Sequence, residues 1–359
     1  MWIFFRFISG IYLKNFFIIF FSLLGFYCGI DLLLNFKDLP KAANLDLLYV
    51  MFLSFSAAPY VLPISLIFAL VVSLISMIRA NEFVSLYALG LSRNYVILFP
   101  FLWALFFCCI YIFFCCIYIG LNFTSFAYAN DYKRNILKNG TIMNQSGEVF
   151  LKFNNNFVYI SKINNGQNSA QNIKIFNIND LNLSSFVSAK NAHFEGESWI
   201  LRDGNITLLP KNYELANDGL KIQDFSELKS LEGFKPKIIE GVASNSDYSI
   251  SDALESFELF KAQNVNTDTL KINLYKFVFT PFFAPFLMLI MYYFFPVIAR
   301  FFNLAFVTFI AFVVTLMIWG VLFLLTRLSE NSVIASEIGI VVPIIILGCL
   351  SAYMYYKHR

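Results

Sequence analysis

Residues 79–93 read Arg79-Ala80-Asn81-Glu82-Phe83-Val84-Ser85-Leu86-Tyr87-Ala88-Leu89-Gly90-Leu91-Ser92-Arg93. This polar-flanked segment separates two long apolar stretches, so its reading decides how the chain on either side is arranged. Asn81 suits the cap of a short helix, Glu82 suits the positive end of its dipole, and Gly90 can close it in a left-handed conformation. Phe83, Leu86, Tyr87 and Gly90 fall at i, i+3, i+4 and i+7 and form one stripe on one face. Two readings follow: an amphipathic connector lying on a membrane surface, or a coupling helix seated in a groove of a motor outside the bilayer.

Outward from this helix the chain is a membrane protein. It is 58% hydrophobic and 19% aromatic, with 14% charged residues and a mean hydropathy of +0.66, far from the range of soluble globular chains. Six apolar stretches, Phe16–Leu34, Leu48–Ile78, Tyr95–Gly120, Leu274–Ile298, Leu304–Leu325 and Val333–Tyr356, are long enough to cross a hydrocarbon layer of about 30 Å. Arg6 and Lys14 precede the first, and no small-residue cleavage site follows it, so a retained anchor is expected rather than a signal peptide.

Charge orients the spans. With the N-terminus inside, the inner segments hold Arg6, Lys14, Arg79, Arg93, Arg300, Lys357 and Arg359 against Glu82. The short outer loops hold Lys37, Lys41 and Arg327 against Asp38, Asp46, Glu330 and Glu337. This positive-inside bias places both termini and the 79–93 helix in the cytoplasm and the large middle region outside. The middle region, residues 121–270, carries 14 basic and 17 acidic residues, so the chain's net charge of +3 conceals a basic membrane part. All six cysteines, Cys28, Cys108, Cys109, Cys115, Cys116 and Cys349, fall in spans, which excludes a disulfide framework in the middle region. His193 and His358 lie far apart and offer no metal constellation.

The expected organisation is three spans in 1–120 with the coupling helix at 79–93, an all-β jellyroll-like domain in 121–270, and three spans in 271–359. Short strands are expected at Phe150–Phe153, Phe157–Ile160, Ile173–Ile178, Val187–Phe194, Trp199–Arg202, Ile206–Leu209 and Leu220–Phe225, as a sandwich or open barrel. Asp203-Gly204 is the strongest two-residue hairpin signal. Phe153, Phe157, Tyr159, Phe176, Phe194 and Trp199 supply an apolar interior. It is either an ordinary core or, around Phe157, Tyr159, Phe176 and Trp199, a groove for an acyl chain. Ser249–Gln263 reads as a helix with apolar Leu254, Phe257 and Leu259. No phosphate-binding loop, H-E-x-x-H or G-x-S-x-G motif occurs, so a chain that moves a substrate must take its energy from a partner.

These features together resemble the lipopolysaccharide export permease family, the paired LptF and LptG subunits. Arg79-Ala80-Asn81-Glu82-Phe83 through Leu89-Gly90-Leu91-Ser92-Arg93 is similar to that family's coupling region. Asn156-Phe157-Val158-Tyr159-Ile160 and Asn172-Ile173-Lys174-Ile175-Phe176 resemble strands of its periplasmic jellyroll. Lys271-Ile272-Asn273-Leu274-Tyr275-Lys276 with Pro281 resembles the start of its fourth span. The strand wording favours LptG over LptF.

The resemblance implies an inner-membrane subunit of outer-membrane biogenesis, with no cofactor and no nucleic-acid partner. It would pair with an LptF-like paralogue and a homodimeric LptB-like cytoplasmic ATPase, and deliver lipopolysaccharide to LptC/LptA-like periplasmic jellyroll bridge proteins. Glu82, Phe83, Leu86, Tyr87, Gly90 and Arg93 would couple to the ATPase, and the first and fifth spans would form a lateral gate. A lipid with phosphorylated sugars needs cations at the outer mouth. Lys37 and Lys41 follow the first span at that level, either as those cations or as ordinary loop charges, and Asn35 stands where relatives often carry a lysine. Asp31, a turn inside the first span, is costly unless paired or wet: either it pairs with a nearby lysine or Arg327, or it sits at the interface. A mechanotransmission subunit that carries no lipid through its spans remains the alternative. An ion-driven transporter would need mid-membrane acids beside the breaks at Pro59/Pro63 and Pro281/Pro285. Asp180-x-Asn182-x-Ser184 and Asp203-x-Asn205-x-Thr207 also match an acidic glycosylation pattern.

Overall fold

The computed structural model describes residues 2–40, 42–116, 129–139, 145–146, 148–153, 156–164, 168–179, 182–210, 219–234, 254, 257, 268–298, 303–331 and 333–358. Six helices in it are long and apolar enough to cross a membrane. A β region is inserted between the third and the fourth.

α1 (Trp2–Asn35) begins 14 residues before the expected first span, and α2 (Ala43–Arg79) five before the second. α2 runs unbroken through Pro59 and Pro63. It is among the most buried of the spans and packs against the first, fourth and fifth, which supports a proline-containing helix from outside. α3 (Glu82–Ala88) is the short helix between spans, and α4 (Arg93–Cys116) is the third span. The first half of α1 is tied down by hydrogen bonds: Trp103 Nε1 donates to Ser9 Oγ (2.9 Å), Tyr12 Oη to the Leu66 carbonyl (3.3 Å), and Asn15 Nδ2 to Ser73 Oγ (2.8 Å). Among apolar helices, where burial of hydrocarbon gives no preference for protein over lipid, such bonds specify the pairing.

α5 (Ala129–Asn139) was not expected from the sequence. It packs on α2 rather than on the sheet: the Tyr132 ring stacks on Phe52 at 5.0 Å, and Ile136 is buried with Tyr49 and Leu53. After the sheet, α6 (Asp268–Phe279), a 3-10 turn (Thr280–Phe282) and α7 (Phe283–Phe294) form the fourth span. The break falls at Pro281, which has no N–H to give, and Cys108 Sγ donates to its carbonyl at 3.3 Å. α8 (Leu304–Glu330) is the fifth span. A π-helical turn (Glu337–Val341) leads into α9 (Val342–Lys357). Gly339 lies in that turn because a Cβ there would collide with Ser329 Oγ and stand 3.0 Å from the Leu325 carbonyl. Of the expected helix at Ser249–Gln263, only Leu254 and Phe257 lie within the described residues, and both are helical.

The strands are β1 (Gln145–Ser146), β2 (Val149–Phe153), β3 (Asn156–Asn164), β4 (Ser169–Asn179), β5 (Asn182–Glu195), β6 (Ser198–Leu208) and β7 (Lys221–Ser230). They form one antiparallel sheet in which β2 through β7 follow one another and β1 also pairs with β3. β2 and β3 pair antiparallel, with Phe153 opposite Asn156. The hairpin expected at Asp203-Gly204 does not form: β6 runs straight through it, and the turn between β5 and β6 is Gly196-Glu197, where Gly196 has φ 64°.

Asp203-Gly204 instead belongs to a crease across the sheet. In each of five strands two successive residues face outward where alternation would turn one inward: Ser161-Lys162, Gln171-Asn172, Lys190-Asn191, Arg202-Asp203 and Ser226-Glu227. Ser161, Asn172, Lys190, Asp203 and Ser226 also lie opposite one another at the position each ladder skips, and the register does not slip across it. Asn172 and Asp203 have φ of 52° and 53°, a left-handed conformation that Asn and Asp tolerate better than most residues. The signal that suggests a hairpin therefore marks a fold line within a strand. Gly204 completes it, since a Cβ there would meet the Ser188 carbonyl and the Phe225 ring. The inward residues on both sides of the line, including Ile160, Ile163, Ile173, Ala189, Ala192 and Leu201, form one core around Trp199. Trp199 Nε1 donates to the Phe234 carbonyl at 2.6 Å, which gives the buried indole its partner.

Candidate functional site

α1 and α8 both pack on α2, and between them lies an open cavity of about 690 Å³. Leu23, Phe26, Tyr27 and Ile30 of α1, Pro59, Tyr60, Ile64 and Phe68 of α2, and Leu316, Trp319 and Phe323 of α8 line it. Trp319 stacks on Phe323 at 5.6 Å and Tyr60 meets Phe323 edge-on at 6.3 Å. Polar groups gather on one side: Asp31, Asn130, Lys276 and Arg327.

The rim is a set of ion pairs. Asp31 accepts from the Tyr49 hydroxyl, from Asn35 Nδ2 at 2.9 Å, and from Lys133 Nζ of α5 at 3.4 Å. Its partner is thus Lys133, and not Arg327. Arg327 Nη1 lies 2.6 Å from Glu330 Oε2 and its guanidinium covers the Phe323 ring at 5.1 Å, while Glu330 Oε1 accepts from Lys276 Nζ at 3.2 Å. Three cations thus face two carboxylates. The Arg327 side chain is 55% exposed, which leaves it able to meet an anion as well as Glu330.

Lys133, Lys276, Glu330 and Asn130 were not singled out in the sequence. Lys276 could have been, since a charge two residues inside an apolar stretch is costly and marks a site. Lys37 lies exposed in the turn after α1, three residues beyond the cavity-lining Leu34, and Lys41 lies outside the described residues.

At the other end of the helices, α3 presents a different face from the one its stripe suggested. Phe83 and Leu86 are 3% and 5% exposed and belong to the main helical core. Tyr87 is half-buried, and burial pushes its phenol up, so it remains a donor. The exposed face carries Val84, Ser85, Ala88 and Leu89, with Glu82 partly exposed beside them. Burial raises the Glu82 carboxyl above its ordinary range, against the pull of the helix dipole. Asn81 does not cap through its side chain. It adopts φ 58°, and its carbonyl accepts from the Ser85 amide. Gly90 closes the helix as expected, at φ 82°, with Leu91 N–H donating to the Leu86 carbonyl at 3.2 Å.

Arg93 is not on that exposed face. Its Nη2 donates to the carbonyls of Tyr292 (3.0 Å), Tyr293 (3.0 Å) and Phe295 (2.9 Å), at the C-terminal end of α7. The guanidinium lies 5.4 and 5.6 Å from the Tyr292 and Tyr293 ring centroids. Tyr292 Oη donates back to the Arg93 carbonyl at 2.9 Å and stands 3.2 Å from Tyr87 Oη. A cation is favourable there because the last carbonyls of a helix have no partner within it.

On the sheet, the four residues read as a groove do not share one surface. Trp199 is in the core with no exposure. Phe157 and Tyr159 alternate with buried Val158 and Ile160, so they face the other way, and Phe176 lies directly across from Phe157. Phe150, Phe157, Phe176 and Phe186 instead make an aromatic row on the outer face, with ring centroids 5.0–6.4 Å apart. Among the described residues no group of His, Cys, Asp and Glu is placed to hold a metal.

The model of the family described as "Lipopolysaccharide export system permease LptF/LptG" matches residues 6–357, nearly the whole chain. No curated protein matches it significantly.

Proposed function

The chain belongs to the lipopolysaccharide export permease family LptF/LptG, and from that premise we propose how it handles its lipid. It is a multi-pass inner-membrane permease of the lipopolysaccharide export system. In our reading the cavity between α1, α2 and α8 receives the lipid sideways from the membrane, through a gate between the first and fifth spans. Its apolar walls select nothing by themselves, because acyl chains in a bilayer are already in hydrocarbon. Recognition then rests on the rim, where Arg327, Lys276 and Lys133 outnumber Asp31 and Glu330. A phosphorylated headgroup can exchange with those carboxylates, since charge-assisted bonds from Arg and Lys to phosphate are strong.

Energy comes from a partner ATPase, and Val84, Ser85, Ala88 and Leu89 with Glu82 are the surface offered to it. The basic ends of the spans support a cytoplasmic α3 and a periplasmic β domain. The paralogous subunit and the periplasmic jellyroll bridge complete the assembly, with this chain as its LptG-type member. The single observation that carries the reading is a cavity that is apolar along three spans and ionic at one rim.

Photo-crosslinking residues placed at Phe26 and Trp319 of the full complex test it. Lipid A-containing glycolipid is the expected adduct. Lys276→Glu with Arg327→Glu should cut that adduct about tenfold or more, since about 1.4 kcal/mol, less than one charge-assisted bond, already gives tenfold. A complex whose ATP hydrolysis still drives an output, with no lipid captured at either position, would establish mechanotransmission instead.

A further inference from the structure

Across 199 to 202 residues, Arg93 Nη2 reaches the end of α7 and is engaged there by the protein's own backbone. We infer that Arg93 is a positioning residue, the joint through which movement of α3 reaches the fourth span and hence the cavity rim. This rests on the permease reading and deepens it.

Three relationships support the joint. First, the links between the α3–α4 turn and α7 converge on one point and run in both directions: Arg93 donates to three α7 carbonyls, and Tyr292 donates to the Arg93 carbonyl and contacts Tyr87. A load on either element is therefore shared by bonds of opposite polarity. Second, α7 is stiff: Leu287, Met288, Met291 and Tyr292 are buried in the main core, and close-packed interiors shift as units rather than deform. Third, the span running from Phe295 through α7 and the Pro281 turn into α6 carries Lys276 about 28 Å away at 1.5 Å per residue. Lys276 bonds to Glu330, the carboxylate that also holds Arg327. The span is interrupted once, at Thr280–Phe282, where a 3-10 turn can serve as a hinge. The span thus meets the coupling helix at one end and carries a cavity-rim cation on the far side of the hinge.

The test uses the assembled complex of this chain with its paralogue and ATPase in proteoliposomes, with two measurements: ATP hydrolysed and glycolipid released to an acceptor. Arg93→Met removes all three bonds to the α7 end. It is expected to keep the ATPase bound at wild-type stoichiometry while glycolipid released per ATP falls about threefold or more. An unchanged ratio overturns the inference, and so does loss of the ATPase from the complex, which would make Arg93 a docking residue. Where Arg93→Met does not accumulate in membranes, Tyr292→Phe, which loses the bonds to the Arg93 carbonyl and to Tyr87, is judged by the same ratio. A wild-type complex that hydrolyses ATP and releases no glycolipid counts against the permease reading, and is distinct from both.

Discussion

Lys133 on α5 and Asp31 on α1 are 102 positions apart in the chain, and their side chains meet at 3.4 Å with less than a fifth of each exposed. Removing either partner leaves the other charge mostly buried and without this counter-ion. Lys133→Met and Asp31→Ala should each destabilise the purified protein by about 1–3 kcal/mol. Combined, they should cost less than the sum, with a coupling energy of roughly 1 kcal/mol. Thermal unfolding in one detergent gives all three values, and strict additivity would show that the pair carries no energy.

Gly339→Ala tests the contact of α8 with the last helix. The added methyl has no room beside Ser329 Oγ, so either the π-helical turn straightens or α8 moves. The expected loss is about 1–3 kcal/mol. Pairing it with Ser329→Gly, which vacates the space, should recover part of that loss, whereas a double variant no better than Gly339→Ala would place the strain elsewhere.

A carboxyl whose pKa is raised in the folded protein is destabilising once ionised, and that cost grows as pH rises from the unfolded value through the folded one. Glu82 is in this position. Glu82→Gln should therefore leave the isolated chain as stable or slightly more stable at neutral pH. Docking has the opposite sign where the partner supplies a cation: it needs the ionised form, so association of the ATPase should weaken as pH falls to just above the ordinary carboxylate range. Binding titrations across that range should show the weakening in wild type and lose it in Glu82→Gln.

The crease gives a prediction for the sheet alone. Asp203→Gly relieves a left-handed residue and should be neutral or stabilising by about 0.5–1 kcal/mol, whereas Asp203→Val places a β-branched side chain at φ 53° and should cost about 1–3 kcal/mol. Denaturant unfolding monitored by Trp199 fluorescence distinguishes them. Equal effects of the two changes would mean that the backbone at 203 relaxes freely.

The sequence made the architecture legible wherever a signal was long or local. Six apolar stretches and an Asn-rich insert between them were enough for the span count and the inserted β domain, and Gly90 was enough for the end of α3. Signals that state a preference without its setting were misread. Asp203-Gly204 prefers a left-handed conformation, which serves a crease as well as a hairpin. The Phe83–Leu86–Tyr87 stripe shows that these residues share a face, but only the position of α7 shows that the face is internal. α5 has too few apolar residues to stand out in a polar insert. The rim of the cavity joins Asp31, Lys133, Lys276 and Glu330 from four helices, and no spacing in one dimension encodes that meeting.

The crease also constrains which lengths of chain the β domain can accept. On either side of the line the strands keep their alternation, apart from a register shift at Asn177–Ile178 near the β4–β5 turn, and the line itself holds two outward residues in all five strands. A single-residue insertion or deletion between a hairpin and the line would put that strand out of phase with its neighbours and turn its inward side chains to the surface. Paired changes would preserve the phase, and changes within the hairpin tips would not touch it. Length variation in this domain is therefore expected to be quantised, in steps of two residues along the strands and freely at the turns.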